Sequence, residues 1–233
     1  MRRTVSIVAA TAVAAAIGSQ AFAAPVPPVD PSQFGGQVQN AWFPLRPGTV
    51  YTYRGVKDAL PVTDVLEVTH ATKVIQGVRC TVINDRLLTR GRLIERTTDW
   101  YATAKDGTVW YFGEATATFN RAGKVASTGG SWQSGVHGAR AGIYMPGHPR
   151  VGQSASQEYY KGHAEDHFTV LSFTARVTTP AASSRHALLT KEFTPLEPGV
   201  IDHKVYVRGI GTVLEEAVKG PTERLALQSV HHS

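Results

Sequence analysis

The sequence predicts an all-β fold, a curved antiparallel sheet or open half-barrel that carries one long glycine-rich loop. Runs rich in β-branched and aromatic residues alternate apolar with polar along most of the chain. Glycine-containing turns separate those runs. No apolar stripe of three helical turns interrupts them.

Each element has its own warrant. Pro47-Gly48 turns the chain into a first strand, Val50-Tyr51-Thr52-Tyr53. Residues 62–75 (VTDVLEVTHATKVI) alternate, Gln76-Gly77 reverses the chain, and 78–89 (VRCTVINDRLLT) return. Arg90-Gly91 leads into 92–104, Asp106-Gly107 into 108–119, and Asn120–Gly123 closes that strand. Residues 127–152 break the rhythm with seven glycines and two prolines. Such an insertion reads as a functional or packed loop lying across one face or end of the sheet. Strands resume over 154–160, 163–179, 186–196, 201–218 and 223–230, with a turn at Lys161-Gly162.

The first residues carry an export signal. Arg2 and Arg3 precede an apolar run from Val5 to Ile17, and Ala21-Phe22-Ala23 supplies a small-x-small cleavage pattern. The run is too short to span a bilayer, and no later segment is long enough to be a membrane helix. This predicts a signal peptide over 1–23, a flexible leader over 24–41 rich in Pro, Gln and Gly, and a single β-domain over 42–233, delivered to the periplasm or the extracellular medium. No cysteine stands near the cleavage point to take a lipid. The single cysteine, Cys80, excludes an internal disulfide and reads as a buried small hydrophobe.

Charge and motifs exclude several classes. The formal charge of +6 is spread along the chain, with no Lys/Arg run interleaved with aromatics, which argues against nucleic acid. No phosphate-cradling glycine loop, Gly-x-Ser-x-Gly or His-Glu-x-x-His occurs. No catalytic residue and no cofactor are therefore assigned.

The densest aromatic stretch is DWYATAKDGTVWYFGE, residues 99–114. A two-residue Asp106-Gly107 loop places Asp99 opposite Glu114; a three-residue loop with a bulge places it opposite Gly113. Either register brings two carboxylates together, and like charges facing across strands need an offset. An arginine such as Arg86, Arg92 or Arg96, a cation, a shared proton or water can supply it. Alternation puts Trp100 on one face and Asp99 and Tyr101 on the other; Trp110 and Phe112 likewise oppose Val109 and Tyr111. Rings on both faces mean that both are covered or that one lines a groove.

In YKGHAEDHF, an unbroken strand projects His163, Glu165 and His167 to one face, a spacing suited to Zn²⁺. The plainer reading is a polar strand end, so no metal is assigned and this triplet stands as the alternative. His137, Arg140, Tyr144 and His148 on the long loop either close over a ligand or pack it down.

The motifs FPLRPGTVYTY, DWYATAKDGTVWYFGE, QEYYKGHAED, FTPLEPG and VYVRGIGTVLEE resemble those of an uncharacterised family of exported bacterial all-β proteins. The resemblance covers about residues 42 to 218. PLRPG-x-x-Y-x-Y and YVRGIGTV are also similar in architecture to lipoprotein-carrier-like curved β-sheet domains. That second resemblance implies a concave apolar sheet face and, by itself, no function.

The expected function is that of an exported, non-catalytic envelope or extracellular protein binding a small-molecule or lipid-like ligand in the concave face. The candidate contacts are Trp110, Tyr111, Trp132 and Tyr159, and the polar anchors Asp99, Glu114, Glu158, Glu165 and Asp166. The alternatives are a secreted hydrolase using the same acidic or metal site, and a structural or interaction module without a pocket. The sequence sets no oligomeric state.

Overall fold

Reversals at residues that accept a left-handed backbone fold the chain into a long antiparallel meander. A computed structural model describes residues 28–36 and 38–232. The export signal expected over 1–23 lies outside the described residues. Gln76-Gly77 (φ 49° and 76°) and Arg90-Gly91 (φ 51° and 76°) are left-handed at both positions, as tight hairpins require. Asp58-Ala59 makes a third such turn (φ 50° and 60°) without glycine.

The first half comprises β1 (Thr49–Lys57), β2 (Leu60–Ile75), β3 (Val78–Thr89), β4 (Arg92–Thr103) and β5 (Val109–Phe119). The short strands β6 (Val125–Ser127), β7 (Trp132–Gln133), β8 (Arg140–Met145), β9 (Ser154–Ser156) and β10 (Glu158–Tyr159) follow. The second half comprises β11 (His167–Thr178), β12 (Ser183–Phe193), β13 (Ile201–Val207), β14 (Gly211–Lys219) and β15 (Glu223–His232). Among the described residues there is no α-helix, only a 3-10 turn over Pro31–Gln33, and no helix long and apolar enough to cross a membrane.

Neighbouring strands within each half pair in sequence order, and β1 then pairs β15, from Thr49 opposite His232 to Lys57 opposite Glu223. The two free ends of this strand order lie at β10, which pairs β8, and at β9, which pairs β11. Only Gln157 separates β9 from β10, so one short segment bridges the seam of a nearly closed barrel. The Gln157 amide donates to the Asp166 carbonyl at 2.7 Å. Closure leaves little free edge to attract another strand. Gly142 permits it, because a Cβ there would lie 2.3 Å from the Gln157 carbonyl.

Rings occur on both faces because both faces are covered. Tyr53, Ile83, Tyr101, Phe168 and Tyr206 fill the interior. Cys80, Trp100, Trp110 and Phe112 form a second cluster outside β3–β5, roofed by Phe34. Phe34 stands edge-on to Trp110 at 5.9 Å and to Phe112 at 5.7 Å and bridges Ala104. Asn40, 2% exposed, donates to the carbonyls of Gly107 (2.8 Å) and Pro146 (2.9 Å) and accepts from the amides of Trp42 and Phe43. Trp42 meets Phe173 at 5.8 Å, and the Gly209 amide donates to Ala41. Where it is described, the stretch expected as a flexible leader is therefore tied down. Its end lies beside the Lys105–Gly107 and Arg208–Ile210 turns.

Three expectations change. Within the glycine-rich stretch 127–152, β7 and β8 pair with β5 and extend the sheet. The strand expected from 163 starts at His167, because Tyr160 and Ala164 close a tight turn. The run 201–218 is a hairpin, β13 and β14, reversing at Arg208–Ile210.

Gly142→Ala should destabilise the barrel by about 1–3 kcal/mol, since the added methyl forces the seam apart. Urea denaturation checks this, with amide exchange at Tyr159 and Ala141 rising first. Unchanged stability would mean that the seam segment does not rest on Gly142.

Candidate functional site

Strand alternation aims carboxyls into the barrel from all sides. Asp64 comes from β2, Asp85 from β3, Asp99 from β4 and Glu114 from β5. Glu158 comes from β10, Asp166 from the turn before β11, Glu192 from β12 and Glu215 from β14. Lys204, from β13, is the one cation among them. Together they line a cavity of about 290 Å³ whose walls include Tyr51, Tyr53, Tyr101, Tyr111 and Tyr144. Phe43, Leu66, Val68 and Ile83 add apolar surface. A recess of about 340 Å³ at the open end shares Glu114, Glu158, Asp166, Glu192, Lys204 and Glu215. Among the described residues, no three His, Cys, Asp or Glu side chains are grouped closely enough to hold a metal ion.

Asp99 and Glu114 do face each other. The register reaches that pair by a detour. Near the turn Tyr101 lies opposite Tyr111, and a bulge at Phe112 then shifts the pairing so that Trp100 meets Gly113. Gly113 suits that bulge, with φ 130° and a Cβ position 2.3 Å from the Trp132 carbonyl. Among the described residues, no arginine forms an ion pair with either acid. The Tyr111 hydroxyl donates to Asp99 Oδ1 at 2.7 Å and lies 3.1 Å from Glu114 Oε2. A hydroxyl has one proton, so the second contact closes when Glu114 carries a proton of its own. Burial pushes the Glu114 carboxyl up to about 7 and the Asp99 carboxyl well above its usual range.

Lys204 sits 2.9 Å from Glu192 Oε2 and 3.6 Å from Glu215 Oε1. Burial pulls the ammonium down, but Glu192 and Glu215 outweigh it and hold the group well above its ordinary value. Tyr206 and Thr190 hydroxyls donate to Glu192 Oε1 at 3.2 and 3.3 Å. Burial lifts Glu215 to about 7 against the pull of Lys204.

Two further carboxyl pairs complete the interior. Burial and then the neighbouring Asp85 lift Asp64 to about 10, and Asp64 Oδ1 has no hydrogen-bond donor around it. Burial and then Asp166 lift Glu158 to about 9. The Trp132 indole N–H, on a side chain 5% exposed, turns toward Glu158 without closing a hydrogen bond. Asp64 and Glu158 therefore favour the protonated form at neutral pH.

Of the residues singled out in the sequence, Asp99, Tyr111, Glu114, Glu158 and Asp166 converge on the cavity, with Trp132 packed edge-on to Tyr111 at 5.3 Å. Trp110 belongs to the outer cluster. Tyr159 lies under the Arg140 guanidinium at 4.2 Å, and Glu165 accepts the Gly162 amide at 2.6 Å. His163 stacks on Tyr160 at 4.4 Å, while His167 stacks on Phe193 and hydrogen-bonds Ser156. The proposed metal triplet is thus divided between a turn and a strand. Asp64, Asp85, Glu192, Lys204 and Glu215 had escaped the sequence reading. Their signal was present: Asp64 shares its alternation phase with Val62, Leu66 and Val68, and Asp85 shares its phase with Ile83 and Leu87.

No protein-family model matches the chain, and no curated protein matches it in sequence. Two crystal structures do match. One is an inferred exported protein with a YmcC-like fold from Bacteroides fragilis, with TM-score 0.46 and 14% identity over 82% of this chain and 99% of that one. The other is an inferred lipoprotein from Parabacteroides distasonis, with TM-score 0.43 and 10% identity over 84% of this chain and 100% of that one.

The raised carboxyls make stability fall with rising pH. Their protons are held in the folded state and lost by the unfolded chain above its ordinary carboxylate range. The stabilisation is complete below about pH 4 and disappears as pH climbs through 7 (Glu114, Glu215) toward 9 and 10 (Glu158, Asp64). Thermal unfolding followed by circular dichroism should show a midpoint several degrees lower at pH 8 than at pH 5. A maximum at pH 8 would contradict the protonated interior.

Proposed function

We propose that the chain is an exported binding protein whose barrel interior holds a small organic cation. One observation carries this reading: eight carboxyl side chains face a single ammonium around one cavity. Export rests on the signal-like residues 1–23 and a non-catalytic role on the missing catalytic motifs. The cavity volume of about 290 Å³ lies at the small end of ligand pockets. Its acids favour an amine or guanidinium, whose charge would replace the protons that burial holds on Asp64 and Glu158. The phenol rings offer faces to the same cation. Phe43, Leu66, Val68 and Ile83 would take an apolar body attached to it. A fatty-acid-like ligand is disfavoured, because its carboxylate would enter among acids and leave Lys204 as its one possible partner.

Titration calorimetry with spermidine and hexylamine, using hexanol as the uncharged control, tests the reading. Both amines should bind and hexanol should not. Binding should release protons, so affinity should rise roughly ten-fold per pH unit for each proton released. Glu158→Gln should weaken the amines, since it removes a carboxyl that can ionise. A chain that ignores both amines yet takes up a fatty acid would overturn the cation and restore the lipid carrier.

A further inference from the structure

Alternation sorts charge between the faces of the barrel. On β3 and β4, Asp85, Glu95 and Asp99 point inward while Arg86 and Arg96 point outward. With eight acids enclosed against Lys204 alone, the outside is more basic than the formal +6 suggests.

Six of the basic side chains lie together. Arg86 stands directly opposite Arg96 on the outer face. Arg90 and Arg92 occupy the β3–β4 tip, and Arg121 and Lys124 the β5–β6 tip beside it. Arg92 Nη1 donates to the Asn120 carbonyl at 3.3 Å and ties the two tips together. All six side chains are exposed, and none takes part in a salt bridge among the described residues. The nearest outward carboxylate, Glu67, lies diagonally from Arg86 across β2 and makes no ion pair with it. Directly opposed like charges destabilise a sheet. Arg96 lies over the Phe119 ring, and among the described residues no carboxylate forms an ion pair with either arginine.

We infer that the outer face of β3–β4 and the adjoining hairpin tips dock the barrel on an anionic phospholipid surface. The patch joins one exposed sheet face to two adjoining hairpin tips tied by the Arg92–Asn120 hydrogen bond. Val125, 55% exposed beside Lys124, can reach the headgroup layer. A nucleic acid would want exposed rings on which bases stack; the aromatic ring at hand, Phe119, is half-buried beneath Arg96 at 5.9 Å. This docking is independent of what the cavity holds.

Co-sedimentation of the full chain with phosphatidylglycerol–phosphatidylcholine vesicles, against phosphatidylcholine alone, tests it. Binding should require phosphatidylglycerol and weaken with salt. Neutralising Arg86, Arg96, Arg121 and Lys124 to Gln should reduce binding roughly 100-fold or more, at about five-fold per cation. Neutralising Arg150, Lys161, Arg176 and Arg185 to Gln, on the opposite half, should reduce it less than about three-fold. Both variants keep the leader and lose the same charge, so equal losses would overturn the patch. The first variant should unfold no earlier than the parent, because it removes a repulsion. Arg121→Gln alone, on an exposed turn, carries the same test at roughly five-fold. Binding without phosphatidylglycerol, or tighter binding of duplex DNA or heparin at equal salt, would also overturn the proposal.

Discussion

The pairing of β1 with β15 is the contact on which the rest depends. It joins residues 49–57 to residues 223–232, nearly the whole length of the chain apart, and turns two meanders into one sheet. The seam segment around Gln157 then completes the enclosure. Such distant pairing is slow to find, because loop entropy must be overcome before the contacts form. Once made, it gives every second residue of both halves a common interior. Asp64 and Glu215 belong to different halves and line the same cavity only because β1 and β15 are neighbours.

The content of that interior is not what stability alone would choose. Apolar side chains of similar volume would avoid the desolvation that lifts Asp64, Asp99 and Glu158. Burial favours the protonated form of Asp64, Asp99 and Glu158, and Lys204 is set between Glu192 and Glu215. The fold carries this burden at one place while burying Phe112, Val109 and Leu188 completely elsewhere, and local departures of this kind are what the binding proposal rests on. The same alternation that hides acids inside leaves arginines outside. The two proposals therefore arise from one geometric fact.

Local features were read well because their causes are local. The hairpins at Gln76-Gly77 and Arg90-Gly91 follow from turn chemistry a few residues long. The Asp99–Glu114 pair was also legible, although the Phe112 bulge, set by the approach of Trp132, was not. The 127–152 stretch misled because glycines read as loop, whereas Gly142 is there to let two strands touch. His163, Glu165 and His167 misled in the opposite way: alternation assumes an unbroken strand, and the Tyr160–Ala164 bridge breaks it.

By itself the sequence determined the β class, most strand boundaries and the face of side chains on unbroken strands, since these depend on neighbours one or two positions away. It also carried the charge and the two-faced aromatic pattern. Tertiary structure decided that the sheet closes, that Phe34 roofs the outer rings, and that acids from eight separate elements meet around Lys204. Those outcomes depend on which distant strands become neighbours. Alternation says only in or out; it cannot say which carboxyls share the inside until the first strand meets the last.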